Sequence, residues 1–396
     1  MKRSKPFLFL MLADFIARSA YQMGKTPLLP IFAAALGASG AFLGLIVSVS
    51  TVTGLFLKPL FGILSDRWGR RIWLLIGAGF FAFMPFLYGF IQTPEQLLVI
   101  RLAHGLATAI YGPVTLAFIA DLARNNQIAE DIGWFEMARS GGYIAGPALA
   151  GWLLLSLDPV AVFTTIGLIS CVIFLPVLQL PETRPRQARK RPRQRLLPHI
   201  FSAIRDGGNS PAVWLTGGLE AVTFIALYTL KAFLPIYALE AGLSIALVGF
   251  YFSLSEAAHV LSKPFCGRLG DRVGYLPAIS LGMLLLAAAL PLVSALDDGP
   301  LFLLPALLTG LAQALIFPAA KALVSQSISP EHLGAGMGLI GMLQNFGKVA
   351  GPVFGGFAIA ALGYGGALLG LSALLIAGTV VIYALLAPRR QLGASH

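Results

Sequence analysis

The chain can be aligned with itself, without gaps, after a shift of 205 residues. The positions that coincide are glycines, prolines and charged residues, which constrain a backbone more than apolar residues do. The matched pairs include Lys58-Pro59 with Lys263-Pro264, Asp66-Arg67 with Asp271-Arg272, Gly105 with Gly310, and Gly146-Pro147 with Gly351-Pro352. A parallel duplication of this kind predicts two halves of similar structure that pack about a common axis.

The composition places both halves in a membrane. Hydrophobic residues make up 57% of the 396 residues and charged residues only 11%, whereas soluble domains carry about 25% charged residues. Apolar runs of about 20 residues recur through the chain, and they are too long and too uniform for the strands of a barrel. We therefore predict an all-α membrane protein with twelve transmembrane helices in two pseudo-symmetric six-helix bundles.

The polar breaks between the apolar runs give the predicted helix positions. The helices lie near residues 7–36, 41–62, 72–91, 95–120, 134–156, 160–180, 212–240, 244–266, 277–296, 301–326, 335–361 and 366–388. The first bundle is predicted over residues 1–180 and the second over 211–396, which includes a short tail. Residues 181–210 are basic and rich in proline, and they form the predicted linker between the bundles.

Lysine and arginine are concentrated before the first predicted helix, after the second, between the sixth and seventh, after the eighth and after the twelfth. The opposite loops contain neither residue, and they lie near 37–40, 92–94, 157–159, 241–243, 297–300 and 362–365. Because basic loops stay in the cytoplasm, we expect a multi-pass protein of the inner (plasma) membrane with both termini cytoplasmic. The net charge of +11 is then a topology signal, and no nucleic-acid binding is expected. The basic linker can also contact anionic lipid headgroups.

The loop after the second predicted helix carries a dense motif. It consists of Gly62, Asp66, Arg67, Gly69 and Arg70, and a partial copy with Gly267, Asp271, Arg272 and Gly274 follows the eighth helix. These loops resemble the signature loops of the major facilitator superfamily. The resemblance extends over the chain apart from the linker and the tail, and it implies transport by alternating access.

The signature loops also have a direct physical interpretation. Gly62 lacks a side chain and would let two helices approach closely. Asp66 can pair with neighbouring arginines, and such contacts can hold one conformation and break in the other. The resemblance implies that the loops are gates, and a static loop contact is the alternative.

A second motif combines small residues with proline. Gly142, Gly146 and Pro147 lie in the fifth predicted helix, and the eleventh repeats them as Gly347, Gly351 and Pro352. They resemble a motif of the family's antiporters, which implies export. Small residues let helices touch and proline introduces a kink, so we expect a rocking interface between the halves. Small-residue packing alone is the alternative.

The fourth predicted helix contains Arg101, and Gly105 follows at the spacing of the family's R-x-x-x-G motif. In relatives this arginine takes part in proton coupling. A charged residue within a membrane span is costly, and its presence indicates a function. His104 lies one turn further on about the same face. The alternative is that Arg101 extends to the outer membrane surface.

Other charged and polar residues are predicted inside the membrane, where the family's first, fourth, seventh and tenth helices line a central cavity. They are Asp14, Arg18, Lys25, Glu220, Lys231, Glu256, His259, Gln313 and Lys348. Asp14 and Arg18 could instead form a structural ion pair one turn apart.

Glu256 lies near the middle of its predicted helix, where a carboxylate costs several kcal/mol unless it is paired or protonated. We interpret Glu256 as a proton carrier, with Lys231 as its expected partner. His259 is either part of that site or a hydrogen-bonded core histidine.

The deeply embedded charges are predominantly positive. The five cationic residues are Arg18, Lys25, Arg101, Lys231 and Lys348, and the three anionic residues are Asp14, Glu220 and Glu256. Many drug exporters of the family carry an acid in the outer half of the first helix, where this chain has Lys25. This difference favours an anionic or zwitterionic substrate over a cationic one.

No enzyme motif is present in the sequence. It contains no phosphate-binding loop for ATP, no metal-ligand spacing and no nucleophile motif, so we expect no catalytic residue, cofactor or metal. Glu256, Asp14 and His104 can titrate, which makes the proton the expected coupling ion. Our hypothesis is a monomer that exports a small amphiphilic organic compound in exchange for protons. The open alternatives are transport of an organic anion or zwitterion in either direction, and a membrane sensor or scaffold without transport.

Overall fold

The computed structural model describes residues 4–122, 128–183, 211–296, 299–328 and 333–386, and within these ranges the regular structure is entirely helical. The α-helices, in chain order, are α1 Lys5–Met23, α2 Leu29–Ala35, α3 Gly40–Trp68, α4 Arg70–Leu87, α5 Pro94–Leu122, α6 Ile128–Leu153, α7 Pro159–Cys171, α8 Phe174–Leu178, α9 Pro211–Glu240, α10 Ile245–Val273, α11 Tyr275–Ala295, α12 Leu304–Ser327 and α13 Leu333–Leu386. Short 3₁₀ turns, Tyr88–Phe90 and Gly299–Leu303, follow α4 and precede α12.

Glycine and aspartate set several helix boundaries. Gly69 has φ +96° between α3 and α4, and Gly274 has φ +96° between α10 and α11. L-residues rarely adopt this backbone conformation, so glycine at both positions allows one long helix to end and the next to begin at once. At the start of α7, Asp158 Oδ1 accepts hydrogen bonds from the backbone N–H groups of Val160 (2.9 Å) and Ala161 (3.0 Å), as an N-cap residue does.

The backbone is interrupted within the first predicted helix and within α13. A π-helical turn, Gly24–Leu28, joins α1 to α2, and Thr26 within it has an extended backbone (φ −147°, ψ 120°). Proline at position 27 cannot donate the hydrogen bond that a regular helix needs. Within α13 the backbone breaks at Gly363 (φ +70°), between the predicted eleventh and twelfth helices.

Nine helices of the described ranges are long and apolar enough to cross a membrane. Large apolar side chains cover their outer surfaces, as a lipid-facing surface requires, and these include Phe56, Leu261 and Phe265, each at least 69% exposed. The all-helical membrane class is confirmed, whereas the count of twelve helices and their arrangement in two bundles stay predictions.

The described residues form two compact units. Unit 1 comprises the described residues within 4–183 and 231–253, and unit 2 comprises those within 211–230 and 254–386. Residues 231–253, which belong to the second repeat by sequence, therefore pack with unit 1. The predicted linker lies outside the described residues apart from 181–183, and the domain division at 180 and 211 stays a prediction.

The repeat is visible in the helix contacts within each unit. In unit 1, a Cβ on Gly105 of α5 would lie 2.7 Å from Thr53 Cβ of α3. In unit 2, a Cβ on Gly310 of α12 would lie 2.6 Å from Ala258 Cβ of α10. Thr53 and Ala258 are themselves 205 positions apart, so the duplicated glycines bring the same pair of helices into close contact in both units.

Candidate functional site

Arg101 lies at the centre of a buried polar network in unit 1. Its side chain is almost fully buried, with 1% of the residue exposed. Its Nη2 donates to Ser50 Oγ of α3 at 2.8 Å, and its Nη1 donates to the Tyr88 hydroxyl at 3.4 Å. Among the described residues, no carboxylate forms an ion pair with Arg101. Arg101 therefore points into the unit, and the alternative of an arginine extending to the outer surface is wrong.

His104 belongs to the same network. Its Nδ1 lies 3.0 Å from the Tyr88 hydroxyl, so Tyr88 connects His104 to Arg101. The Tyr21 ring of α1 packs edge-on against His104, and the Tyr21 hydroxyl lies 3.4 Å from Ser50 Oγ. The network thus joins a guanidinium group, which only donates hydrogen bonds, to an imidazole and two phenols, which can each donate and accept them.

Lys25 follows Tyr21 on the same face of the first helix. Its Nζ lies 5.7 Å from the centre of the Tyr21 ring, a cation–π distance. The other cations whose charges act on Lys25 are Arg101, Lys231 and Lys58. The positive charges of Arg101 and Lys231 therefore repel the Lys25 ammonium group.

Asp14 is fully buried and pairs with two arginines. Arg18 Nε lies 3.5 Å from Asp14 Oδ1, one turn along α1. Arg139 of α6 donates to both Asp14 oxygens, from Nε at 3.0 Å and from Nη2 at 3.4 Å. Arg139 also donates to Thr115 Oγ1 (3.2 Å) and pairs with Glu136 (2.7 Å). The structure thus contains the ion pair between Asp14 and Arg18, within a larger network that ties α1 to α6.

Sequence reasoning missed Arg139. The residue lies near the start of a predicted helix and outside every motif, so it was not counted among the embedded charges. A signal was available in the repeat, because position 139 corresponds to Gln344, which is also a polar residue within an apolar run. Adding Arg139 increases the excess of positive charge in unit 1.

The first signature loop is held by an arginine at its centre. Arg70 pairs with Asp66 one turn earlier, donates to Ser65 Oγ at 2.7 Å, and donates to Asp121 Oδ2 of α5 at 3.1 Å. Arg70 is buried whereas Asp66 is exposed. Arg67 is exposed as well. The predicted pairing of Asp66 with a neighbouring arginine is therefore present, and Asp121 is an additional partner that the motif did not indicate.

The two glycines of this loop behave differently. A Cβ on Gly69 would lie 2.6 Å from Glu182 Cδ, and Glu182 also accepts a hydrogen bond from the Arg71 backbone N–H at 3.1 Å. In contrast, the nearest atom to a Cβ on Gly62 would be Pro113 Cβ at 3.9 Å, which is ordinary contact. The prediction that Gly62 permits a close helix approach is therefore wrong, whereas Gly105 does permit one between α3 and α5.

The second signature loop lacks the central arginine. Position 275, which corresponds to Arg70, is Tyr275, and its hydroxyl donates to Asp271 Oδ1 at 2.9 Å. Arg272 is exposed, and nothing lies within 4 Å of a Cβ built on Gly267. In unit 2 a hydrogen bond from a neutral phenol thus takes the place of the ion pair that Asp66 forms in unit 1.

The small-residue motif packs within each unit. In unit 1, a Cβ on Gly146 would lie 2.7 Å from Gln22 Cβ of α1. In unit 2, a Cβ on Gly351 would lie 2.6 Å from the Ile225 carbonyl oxygen of α9. Both glycines pack against the first helix of their own repeat, and the expected rocking interface between the halves stays a prediction. Pro147 and Pro352 follow them inside α6 and α13.

One contact of the motif involves the start of the second repeat. The Cα atoms of Gly151 and Gly249 are close, because a Cβ on Gly151 would lie 3.0 Å from Gly249 Cα in α10. One turn further along, Ser253 Oγ accepts a hydrogen bond from the Ala148 backbone N–H at 2.9 Å. All four residues belong to unit 1.

In unit 2, Glu220 of α9 is fully buried. Its Oε2 accepts a hydrogen bond from Gln344 Nε2 of α13 at 2.6 Å, while its Oε1 has no hydrogen-bond partner. Lys348, one turn beyond Gln344, lies over the Phe224 ring at 4.5 Å. Glu220 forms no ion pair with any residue that the structure describes.

The remaining predicted residues of unit 2 form weaker contacts. Glu256 Oε1 lies 3.6 Å from His259 Nδ1, and neither ring nitrogen of His259 has a hydrogen-bond partner among the described residues. Both interpretations of His259 stay predictions. Gln313 is buried and donates to Thr309 O of its own helix at 3.2 Å. The pairing of Glu256 with Lys231 stays a prediction. No metal-binding group of three or more His, Cys, Asp or Glu occurs in the described residues.

Comparison with known families gives a match over almost the whole chain. The model of the Major Facilitator Superfamily matches residues 8–258 and 219–395. Among curated proteins, Multidrug resistance protein 1 of Bacillus subtilis is 25% identical over 341 residues, covering 83% of this chain and 84% of that protein. Multidrug resistance protein MdtG of Citrobacter koseri is 27% identical over 369 residues, covering 89% and 88%.

Solved structures share the fold. The nucleoside transporter NupG superposes with a TM-score of 0.81 at 16% identity, covering 96% of this chain and 98% of that one. A bacterial homologue of the human lysosomal transporter Spinster, inward-facing and unoccupied, gives a TM-score of 0.75 at 16% identity, covering 97% and 96%. The family match, the membrane-spanning helices and the paired signature loops agree, and the chain therefore belongs to the Major Facilitator Superfamily of transporters.

Proposed function

We propose that the protein is a secondary active transporter that exports a small amphiphilic organic compound in exchange for protons. Two six-helix bundles, residues 1–180 and 211–396, would open a central site alternately to either side of the inner membrane, with both termini in the cytoplasm. The relatives that are named multidrug resistance proteins support export as the direction of transport, and they support a broad class of substrates. The chain would act as a monomer in the bilayer, without a cofactor.

The observation that carries this proposal is the buried network of Arg101, His104 and Tyr88. A guanidinium group without a carboxylate partner is expensive inside a membrane, and such groups are retained chiefly where transport or proton transfer needs them. The Tyr88 hydroxyl is within 3.4 Å of both partners, so it would pass a proton to or from His104 while Arg101 stays protonated and orients the hydroxyl by a hydrogen bond.

Two carboxylates of unit 2 complete the coupling proposal. Glu220 has only a neutral hydrogen-bond partner, and Glu256 lies beside His259. Each could take up a proton on one side and release it on the other. Asp14 suits this role less well than the sequence suggested, because two guanidinium groups already hold its carboxylate.

Proteoliposomes with an imposed pH gradient test the proposal. The full-length protein is reconstituted, and the flux of cationic, neutral and anionic amphiphiles is measured with and without the gradient. We expect flux of at least one amphiphile that the gradient drives uphill and that Arg101→Lys reduces at least about tenfold. The sensor or scaffold alternative predicts no gradient-dependent flux, together with unchanged behaviour when Arg101 and Glu256 are replaced by neutral residues.

A further inference from the structure

A groove on the surface of unit 2 has no part in the site described above. It lies between α11 and the last turns of α13, and its volume is about 710 Å³, which is within the range of small-molecule sites. Its walls are largely apolar and partly exposed, with Leu284 at 44% and Val380 at 62%. The groove includes Pro277, Ser280 and Leu284 of α11 and Thr379, Val380 and Tyr383 of α13.

The depth of the groove is limited by close contacts between the same two helices. Ser372 Oγ of α13 donates a hydrogen bond to the Ala287 carbonyl oxygen of α11 at 2.8 Å. A Cβ on Gly378 would lie 3.2 Å from Met283 Cε, so the helices are also close beside the groove. The groove therefore lies beyond the Ser372 contact, toward the ends of the helices on the side of the second signature loop.

Three hydroxyl side chains line this apolar groove. Ser280 is only 5% exposed, and its Oγ has no hydrogen-bond partner among the described residues. Thr379 Oγ1 donates to Leu375 O of its own helix at 2.9 Å and keeps its capacity to accept. Tyr383 is 41% exposed. A buried hydroxyl without a partner is unfavourable, so an oxygen atom of a bound molecule would stabilise Ser280.

The first repeat has apolar residues at the same three positions. Ser280, Thr379 and Tyr383 correspond to Leu75, Phe174 and Leu178 after the shift of 205 residues. In unit 1 the Phe174 ring packs against Phe83, with ring centroids 6.4 Å apart.

The second repeat has Thr379 and Ala288 in place of these two phenylalanines. Unit 2 thus lacks both rings beside its groove. The hydroxyl groups are specific to unit 2 as well, so a general need of the fold does not explain them.

The groove lies close to one surface of the membrane. Ser280 is five residues from the start of α11 and Tyr383 three residues from the end of α13, which places them about 7.5 and 4.5 Å from the helix ends. Tyrosine is enriched at this level of a bilayer, where the glycerol ester groups of phospholipids meet their acyl chains.

Basic residues flank the groove on this side of the membrane. The end of α10 lies against the start of α11, because the Tyr275 hydroxyl donates to Asp271 Oδ1 at 2.9 Å. Arg268 and Arg272 at this end of α10 are both exposed. In the sequence, Arg389 and Arg390 follow α13, outside the described residues. Clusters of arginine at a membrane surface attract anionic lipid headgroups.

We propose that this groove binds an anionic glycerophospholipid. One acyl chain lies in the groove, an ester carbonyl oxygen accepts a hydrogen bond from Ser280, and the phosphate faces the arginines at the end of α10. The site is separate from the polar residues assigned to transport, so it can be tested whether or not a substrate is known.

The test uses two lipids with identical chains, dioleoylphosphatidylglycerol and dioleoylphosphatidylcholine. Thermal unfolding of the delipidated full-length protein in detergent is followed against lipid concentration, because a ligand of the folded state raises the midpoint. We expect the anionic lipid to act at a concentration at least about fivefold lower. Equal effects of the two lipids, or no effect of either, would overturn the proposal with the unmodified protein alone.

Variants of the groove locate the bound lipid. Thr379→Phe introduces the residue of the first repeat, and its ring should fill the groove and weaken the apparent affinity for phosphatidylglycerol at least about tenfold. Ser280→Ala removes one hydrogen bond and should weaken it about fivefold.

Val381→Phe is the matched control. It adds a ring to a residue of the same helix that is 50% exposed and lies outside the groove, so the affinity should stay within about twofold. Equal losses in Thr379→Phe and Val381→Phe would show that the lipid binds elsewhere and would overturn the proposal.

Two other occupants of the groove are outcomes of the same experiments. If Thr379→Phe converted a dimer to a monomer in light scattering of the detergent complex, the groove would be an interface between two copies of the chain. If a transported amphiphile, and not phosphatidylglycerol, raised the midpoint in a Thr379-dependent manner, the groove would be a substrate site. Either result would overturn the assignment to a phospholipid.

Discussion

Arg139 of α6 donates two hydrogen bonds to Asp14 of α1, at 3.0 and 3.4 Å. The residue at the equivalent position of the second repeat, Gln344 of α13, donates one to Glu220 of α9 at 2.6 Å. In both units, therefore, a carboxylate on the first long helix of the repeat accepts a hydrogen bond from the same position of the fifth helix of the repeat. In unit 1 the donor is a charged guanidinium group, and in unit 2 it is a neutral amide. Substitution of the two carboxylates should therefore have different effects.

Asp14→Asn should destabilise the protein strongly. The change leaves the guanidinium groups of Arg18 and Arg139 buried without their shared carboxylate, and breaking a buried ion pair from one side costs about 3–5 kcal/mol. Thermal unfolding in detergent measures the effect. Glu136→Gln is the control, because its side chain is 46% exposed and an exposed ion pair contributes at most about 1 kcal/mol. Equal midpoints for the two variants would show that Asp14 is not a structural residue.

Glu220→Gln should preserve stability and change coupling. A glutamine side chain can still accept the hydrogen bond from Gln344, so the unfolding midpoint should change little. The variant cannot carry a proton, however, so transport driven by a pH gradient should fall at least about tenfold while exchange at equal pH on both sides persists. Proteoliposome flux under both conditions measures the ratio. A normal response to the gradient would remove Glu220 from the coupling mechanism.

The sequence predicted the helical membrane fold because its signals are local and repeated. Apolar run length, the alternation of basic loops and the duplicated glycines and prolines each report directly on a helix or a loop. The signature motif likewise predicted that Asp66 pairs with an arginine, and the structure contains that pair with Arg70.

The side-chain networks were harder to predict because their members come from distant helices. Arg139, Asp121 and Glu182 are separated by at least 50 residues from Asp14, Arg70 and Gly69, which they contact. No spacing rule connects residues across such distances. Gly62 was wrongly predicted to permit a close helix approach for a related reason. A glycine in a sequence motif shows that a side chain is missing, but it does not show which neighbouring residue lies beside it.

Gly69→Ala should destabilise the first signature loop. The backbone at Gly69 has φ +96° and ψ 156°, a region that is essentially restricted to glycine and costs about 1–3 kcal/mol for other residues. The added methyl group would also displace Glu182 from the Arg71 backbone N–H. Thermal unfolding should show a clear loss for Gly69→Ala. Gly62→Ala, which meets only an ordinary contact in the same loop, should stay within about 0.5 kcal/mol. The reverse order would contradict the structure of this loop.

Arg101→Lys should separate charge from geometry in the buried network. Lysine keeps the positive charge but cannot reach Ser50 and Tyr88 together, because it lacks the forked donors of a guanidinium group. We therefore expect a folded protein whose gradient-driven flux falls at least about tenfold, with a smaller loss of exchange at equal pH. Tyr88→Phe removes only the hydroxyl that connects Arg101 to His104, and it should reproduce the coupling defect with Arg101 intact. If Tyr88→Phe transports normally while Arg101→Lys does not, the arginine acts without His104, and proton exchange through the tyrosine hydroxyl is excluded.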